Sequence, residues 1–318
     1  MEIKDDLLTN TRRRIALVVL CGVALLALLP GCGLTKAQKE GVSSFAKASS
    51  ALGAASAEHF KAFRSDVIRM KTTRLAIEGK KLPATRPDGK PPDRRFYTEE
   101  LNLDSGLDPE NLEKRLTAVD MLAAYGDLLQ TLSEKSQEKE LSAAADSFAN
   151  SVRKFPASPL PEEKVDGLGK LLATVGTLWT EGEKKKTVQE VVPQVSPLIQ
   201  HLCDSLENDF KVKGSGFAAN VDLVQDRLAS EAIDGLKRET TSITDRLLLI
   251  EGLALANDSK ENLDRVSSKM FKAIASLRQA DKNLVALVME QQFSLDAIKS
   301  YSKNVNDLVK AIKPFTHR

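Results

Sequence analysis

Between Lys36 and Gly79, apolar residues return every three or four positions at Val42, Phe45, Ala48, Leu52, Ala55, Phe63, Val67 and Met70, the period of one helix face. The alanines among them would let a neighbouring helix come close. The pattern stops at residues 79–95, where Pro83, Pro87, Pro91 and Pro92 sit among glycines and charges. Such a stretch supports neither an ordinary helix nor a central strand. It is expected to be an exposed, solvated linker, with its basic charges as a possible contact site. Asp108 followed by Pro109 predicts a helix N-cap with proline in the first turn. Leu112, Leu116, Val119, Leu122, Leu129 and Leu132 mark the face that follows, and Leu141, Ala144, Ala145, Phe148 and Val152 mark the next.

A Pro-rich link at 156–161, carrying Pro156, Pro159 and Pro161, separates these helices from another at Val165, Leu168, Leu171, Leu172, Val175, Leu178 and Trp179. Gly169 and Gly176, seven residues apart, predict two turns of close helix contact. The period continues through Val188, Val191, Val195, Leu198 and Leu202, where Pro193 and Pro197 should kink or interrupt the helix. A turn at 211–217 and a helix over about 218–251 come next.

The longest pattern is the last. Steps of three and four from Leu263 visit Val266, Met270, Ala273, Leu277, Ala280, Leu284, Leu287, Gln291, Ser294, Ile298, Tyr301, Val305, Leu308 and Ile312, and thirteen of these fifteen positions are apolar. That is a coiled-coil-like seam of seven heptads, predicting one helix ~75 Å long, capped by Asp258 with Glu261. Phe271, Ile274, Val285, Val288, Phe293 and Leu295 widen the seam, so the helix should pack against two or more neighbours in its own chain. With no period-two run, the fold class is all-α: an elongated helical bundle with long N- and C-terminal helices, the C-terminal one coiled-coil-like.

The beginning of the chain follows another logic. Arg12, Arg13 and Arg14 precede fifteen uncharged residues, Ile15 to Leu29. This is the charged region and apolar core of a signal peptide, shorter than the ~20 residues that cross a bilayer. Leu29, Pro30, Gly31 and Cys32 then resemble the lipobox of bacterial lipoproteins, with Leu three positions before the cysteine and a small residue directly before it. The resemblance implies that a signal peptidase recognises Leu29, Pro30 and Gly31, removes residues 1–31, and leaves Cys32 as a lipid-modified first residue. It also implies, through Gly33 in place of a retention aspartate, an outer-membrane location facing the periplasm. An uncleaved inner-membrane signal anchor with a periplasmic domain is the alternative. Two or three acyl chains, at ~0.8 kcal/mol per buried methylene, hold a domain at a membrane essentially permanently.

Composition narrows the remaining 32–318, a single mature α-helical domain in this reading. Cleavage removes four basic groups (Lys4, Arg12, Arg13, Arg14) and three acidic ones (Glu2, Asp5, Asp6) from totals of 46 and 44, leaving +1. A near-neutral chain lacks the electrostatic footprint of a nucleic-acid binder. Cys21 leaves with the leader and Cys32 is acylated, so Cys203 is alone, expected to pack as a small hydrophobe with no disulfide. Aromatics are only 5% of residues, which favours helix over sheet.

Candidate chemistry is sparse. Of the three histidines, His59 lies at the edge of the first apolar face and reads as a hydrogen-bonded boundary residue, while His317 belongs to the tail. His201 and Cys203, two apart on a helix, point away from each other and make no metal pair. Ser44 and Lys47 match a Ser-x-x-Lys spacing, but so do Ser151 with Lys154 and Ser300 with Lys303, and the companion motifs of penicillin-interacting enzymes are missing. Gly214-Ser215-Gly216 has no phosphate-loop context. These readings nominate no catalytic residue, no metal and no cofactor. The expected function is a lipid-anchored, non-catalytic interaction or scaffold module of the bacterial cell envelope. Its partners would be the membrane, through its lipid, and an envelope protein. The alternative is a periplasmic small-molecule sensing or binding domain with a pocket near residues 193–203 and Trp179 as a wall. An exposed apolar stripe on the long helix would favour the first; a pocket lined by aromatic and polar groups would favour the second.

Overall fold

The computed structural model describes residues 33–79, 85–87, 89–91, 101–103, 108–134, 138–156, 158–175, 180–238 and 242–316. These residues form eight helices and no strand: α1 Lys36–Ile77, α2 Pro109–Ser133, α3 Glu138–Lys154, α4 Glu162–Val175, α5 Glu181–Phe210, α6 Phe217–Leu236, α7 Ile243–Val288 and α8 Leu295–Thr316. The fold is an all-α bundle. Most of the linker at 79–95, together with Gly176, Leu178, Trp179 and His317, falls outside the described residues.

α1 begins where its first turn is best satisfied. Thr35 Oγ1 accepts from the Gln38 amide at 3.2 Å and Gln38 Oε1 accepts from the Thr35 amide at 2.9 Å, a reciprocal cap. Its 42 residues span ~63 Å, and all eight of its expected apolar marks are buried. α2 starts as its sequence predicts, with Asp108 Oδ1 accepting from the Glu110 amide at 3.1 Å and Pro109 in the first turn. It runs antiparallel to α1 and very close to it. A Cβ added at Gly53 would lie 2.6 Å from the Val119 carbonyl oxygen, and one at Gly126 would lie 2.5 Å from that of Ala46. These are the glycines that let helices touch. Gly169, expected to do so, would meet only the guanidinium end of Arg153.

α5 passes through Pro193 and Pro197 without ending. An interior proline costs ~3 kcal/mol, and here it is opposed by Val191, Val192, Val195, Leu198 and Ile199, all fully buried beside it. The helix expected over 218–251 is two helices, α6 ending at Leu236 and α7 beginning at Ile243. Asp258 and Glu261 therefore lie inside α7. Ser242 caps it instead, accepting from the Asp245 amide at 3.1 Å.

The seam of seven heptads is likewise divided. α7 ends at Val288, Glu290 adopts φ 58°, and the Ser294 amide donates back to Asn283 Oδ1 at 2.9 Å before α8 begins. The thirteen apolar seam positions are all buried, and the two polar ones, Gln291 and Ser294, are exposed in the turn. The periodicity crosses the turn because both helices serve the same core. α1 and α7 are antiparallel: Gln38 Nε2 donates to the Leu287 carbonyl at 3.2 Å at one end, and Gly252 meets Ile77 and Thr73 at the other. α8 doubles back beside α1, with Leu295 and Ile298 against Gly41 and Tyr301 against Phe45. Gly33 and α1's start thus lie near the α7–α8 turn and α5's start, where Lys39 pairs with Glu181 at 2.6 Å. The end of α6 and the start of α7 lie at the far end.

Candidate functional site

Leu29, Pro30, Gly31 and Cys32 lie outside the described residues. Among those described, no helix is long and apolar enough to cross a membrane.

Ionisable groups in the core come first as candidates for chemistry. Asp281, one position beyond the seam residue Ala280, is fully buried. One carboxylate oxygen accepts from Ser196 Oγ at 2.6 Å and from Gln200 Nε2 at 2.8 Å, while the other has no partner. Loss of water pushes its pKa up to about 6, against the opposing pull of the two hydrogen bonds. Around it are Tyr301, whose hydroxyl meets Ser49 Oγ at 3.2 Å, Tyr125 with an unpartnered hydroxyl, and Cys203. Burial raises all three, the Cys203 thiol to about 12. A thiol this far from ionising is inert, and Cys203 packs as the small hydrophobe its sequence context suggests.

His59 departs from its expected role. It is not at the boundary but in the core, between Phe63 at 4.3 Å and Phe210 at 5.2 Å ring to ring. Neither ring nitrogen has a hydrogen-bond partner. Desolvation lowers its pKa to about 3, so it is a neutral aromatic filler at neutral pH. His201 packs edge-on against Phe155, apart from Cys203, whose thiol approaches the Ile274 carbonyl. Of the Ser-x-x-Lys candidates, Ser151 donates its hydroxyl to Phe148 in its own helix. No group of three or more potential metal ligands converges among the described residues. On residues 193–203, Val195, Leu198, Ile199, Leu202 and Cys203 are packed shut.

The open feature is on the first turns of α7. Ile243, Leu247 and Ile250 are 89%, 57% and 54% exposed, and they continue to exposed Ala254 in steps of four, three and four. At ~100° per residue this stripe points opposite to Leu249, Gly252 and Ala256, which face the core. The segment is therefore a helix with two apolar faces and one set of neighbours. α6 lies on it through Gly235–Leu249 and Gln225–Ser259, and α1 through Ile77–Gly252. Arg246 and Glu251 flank the stripe on opposite sides, both exposed, and neither makes an ion pair among the described residues.

Beside this end is a cleft of about 520 Å³ bounded by Glu78, Glu231, Asp234, Arg238 and Asp245. Glu231's pKa is raised by burial and by its hydrogen bond with Glu78. Among the described residues, the walls of the cleft carry no aromatic ring.

Neither Asp281 nor the stripe is singled out by the sequence reading. A lone aspartate four residues after Leu277 and three before Leu284 could have marked a buried acid. The stretch 246–256, with leucines on opposite sides of one helix, could have marked a face without a neighbour. The chain matches no known protein family, no characterised protein and no solved structure.

Proposed function

We propose that this chain is a non-catalytic, lipid-anchored scaffold of the bacterial cell envelope, fastened through Cys32 and presenting the Ile243–Leu247–Ile250 stripe to a protein partner. The exposed stripe carries this reading. A soluble bundle that seals an aspartate and a histidine inside its core leaves three large aliphatic side chains in water on one helix face, and such contiguous apolar surface marks contact sites. Its position supports the same reading. α1 begins four residues after Cys32, and the stripe lies beside α1's opposite end, ~60 Å away at helical rise. A bilayer would hold one end and leave the other free to meet proteins. The outer membrane, with the bundle in the periplasm, is the location implied by the lipobox-like residues.

The test has two readouts in the host cell. Wild-type protein should fractionate with membranes and carry a diacylglyceryl-modified Cys32 by mass spectrometry; Cys32→Ser should lose the lipid and its processed amino terminus. A photo-crosslinking residue at 247 should yield a discrete protein adduct, and the same residue at exposed Lys282 should not. A bare Cys32 thiol on processed protein would overturn the anchor, and the absence of any adduct at 247 would overturn the contact face.

A further inference from the structure

We propose that the occupant of the stripe is a second copy of this chain, its α7 lying parallel to the first in a short two-stranded coil. This rests on the reading above that the stripe is a docking face on a membrane-tethered protein, and it names the partner.

The argument is the charge pattern around the apolar positions. Ile243, Leu247, Ile250 and Ala254 occupy the d, a, d and a positions of successive heptads, in spacing 4, 3, 4. In that frame Arg246 is the g residue before Leu247, and Glu251 is the e residue after Ile250. In a parallel pair the g residue of one helix faces the e residue five positions on in its partner. Arg246 of each copy would then meet Glu251 of the other, on both sides of the seam. The two charges have no ion pair among the described residues, so each is available to the second copy. An antiparallel pair brings g against g and e against e, which separates Arg246 from Glu251. A flat or globular partner would make no use of the heptad spacing.

Room for a second helix is present as well. Thr244, Arg246, Leu247, Ile250, Glu251, Ala254, Asn257 and Asp258 are all exposed, an arc of helix surface that neither α1 nor α6 covers. The seam is short: twelve residues are ~18 Å of helix, less than the ~1,200–2,000 Å² total interface of a stable free dimer needs. Pairing would therefore be weak between freely diffusing molecules. It becomes favourable when both copies share one membrane, which raises their effective concentration and fixes them in the same direction. Parallel orientation is the one that two chains tethered at the same end can adopt side by side.

The experiment uses the full chain in host membranes. With Ile250→Cys, mild oxidation should produce a disulfide-linked species of twice the chain mass, in excess over the parent chain, because d positions face their own equivalents in a parallel pair. Arg246→Glu in that background should reduce the excess about fivefold by placing four acids at the seam, and Arg246→Glu with Glu251→Arg should restore it to within about twofold. All three positions are exposed, so the variants leave the core intact. Self-linkage with charge-swap rescue supports the proposal. Three results overturn it: no excess over parent, linkage only between Leu247→Cys and Ile250→Cys chains mixed together, or a photo-adduct at 247 made of another protein. Membrane fractionation of the same sample reads the anchor separately, so loss of pairing in membrane-bound protein is distinguished from loss of the tether.

Discussion

The two halves of α7 carry similar apolar periodicity and end in different environments. From Leu263 to Val288 the helix is enclosed by α1, α5 and α8, and its core face widens until Ala273, Ile274, Leu277, Ala280, Asp281, Leu284, Leu287 and Val288 are all buried. Over the first turns α1 and α6 lie against it among the described residues, and Ile243, Leu247 and Ile250 are exposed. The outer face of the helix makes this difference. The line of the stripe continues along α7 as Glu261, Arg265, Ser268, Lys272 and Lys282, which are polar and stay exposed although α8 packs on the other side for ~33 Å of the helix. Only over the first turns is that outer face apolar, and there no segment among the described residues covers it. An apolar period thus reports a demand for burial, and the topology decides whether the chain itself meets it.

The largest contrast should come from cutting the same kind of side chain in each half. Leu277→Ala should lower unfolding free energy by about 2–5 kcal/mol, as for other fully buried leucines, while Leu247→Ala should change it by less than about 0.5 kcal/mol. Urea unfolding followed by circular dichroism checks both. Equal losses would mean that the stripe is covered.

Asp281 sharpens the enclosed half. Its folded pKa of about 6 lies above its ordinary 3.8, so the folded state holds its proton more tightly than the unfolded chain. The sign follows: this stability is full below pH ~4 and is lost as pH rises through ~6. Asp281→Asn should therefore gain about 1–2 kcal/mol at pH 7 and little at pH 3.5, flattening the profile between. A uniform gain or loss across that range would show that ionisation is not the cause.

His59 works in the opposite direction. With a folded pKa of about 3 against 6.5, it favours the fold above pH ~6.5 and withdraws that support as pH falls. His59→Phe, a similar volume without orphaned nitrogens, should gain about 1 kcal/mol at pH 7 and more at pH 4.5. Melting temperatures at the two pH values check it, and a wild-type-like slope would refute it. The smallest effect on stability belongs to Leu247→Glu, within about 0.5 kcal/mol of wild type, although it should abolish crosslinking at the stripe. Loss of folding instead would place Leu247 in the core.

Helix faces were legible wherever burial repeats within one segment, as along α1, where each predicted mark is buried. Breaks were harder. Gln291 and Ser294 were visible as polar interruptions of the seam, but a turn and a polar heptad position look alike in one dimension. Pro193 and Pro197 marked a break that the chain does not take, since packing around α5 keeps the helix continuous through them. Gly53 and Gly126 escaped notice because the need for a missing Cβ arises only when two distant helices meet. His59 was misplaced because α5 and α6 bring Phe210 and Phe217 over α1.

Only Gly33, Leu34 and Thr35 separate Cys32 from α1, and they are not slack: Leu34 is buried, Thr35 is tied to Gln38, and Lys39 is clamped to Glu181. A lipid on Cys32 would consequently have no leash. The bundle would stand on the bilayer like a post on a short foot, held close to the surface. A rigid mount of this kind makes the height above the membrane a fixed property of the molecule, set by the pitch of a helix.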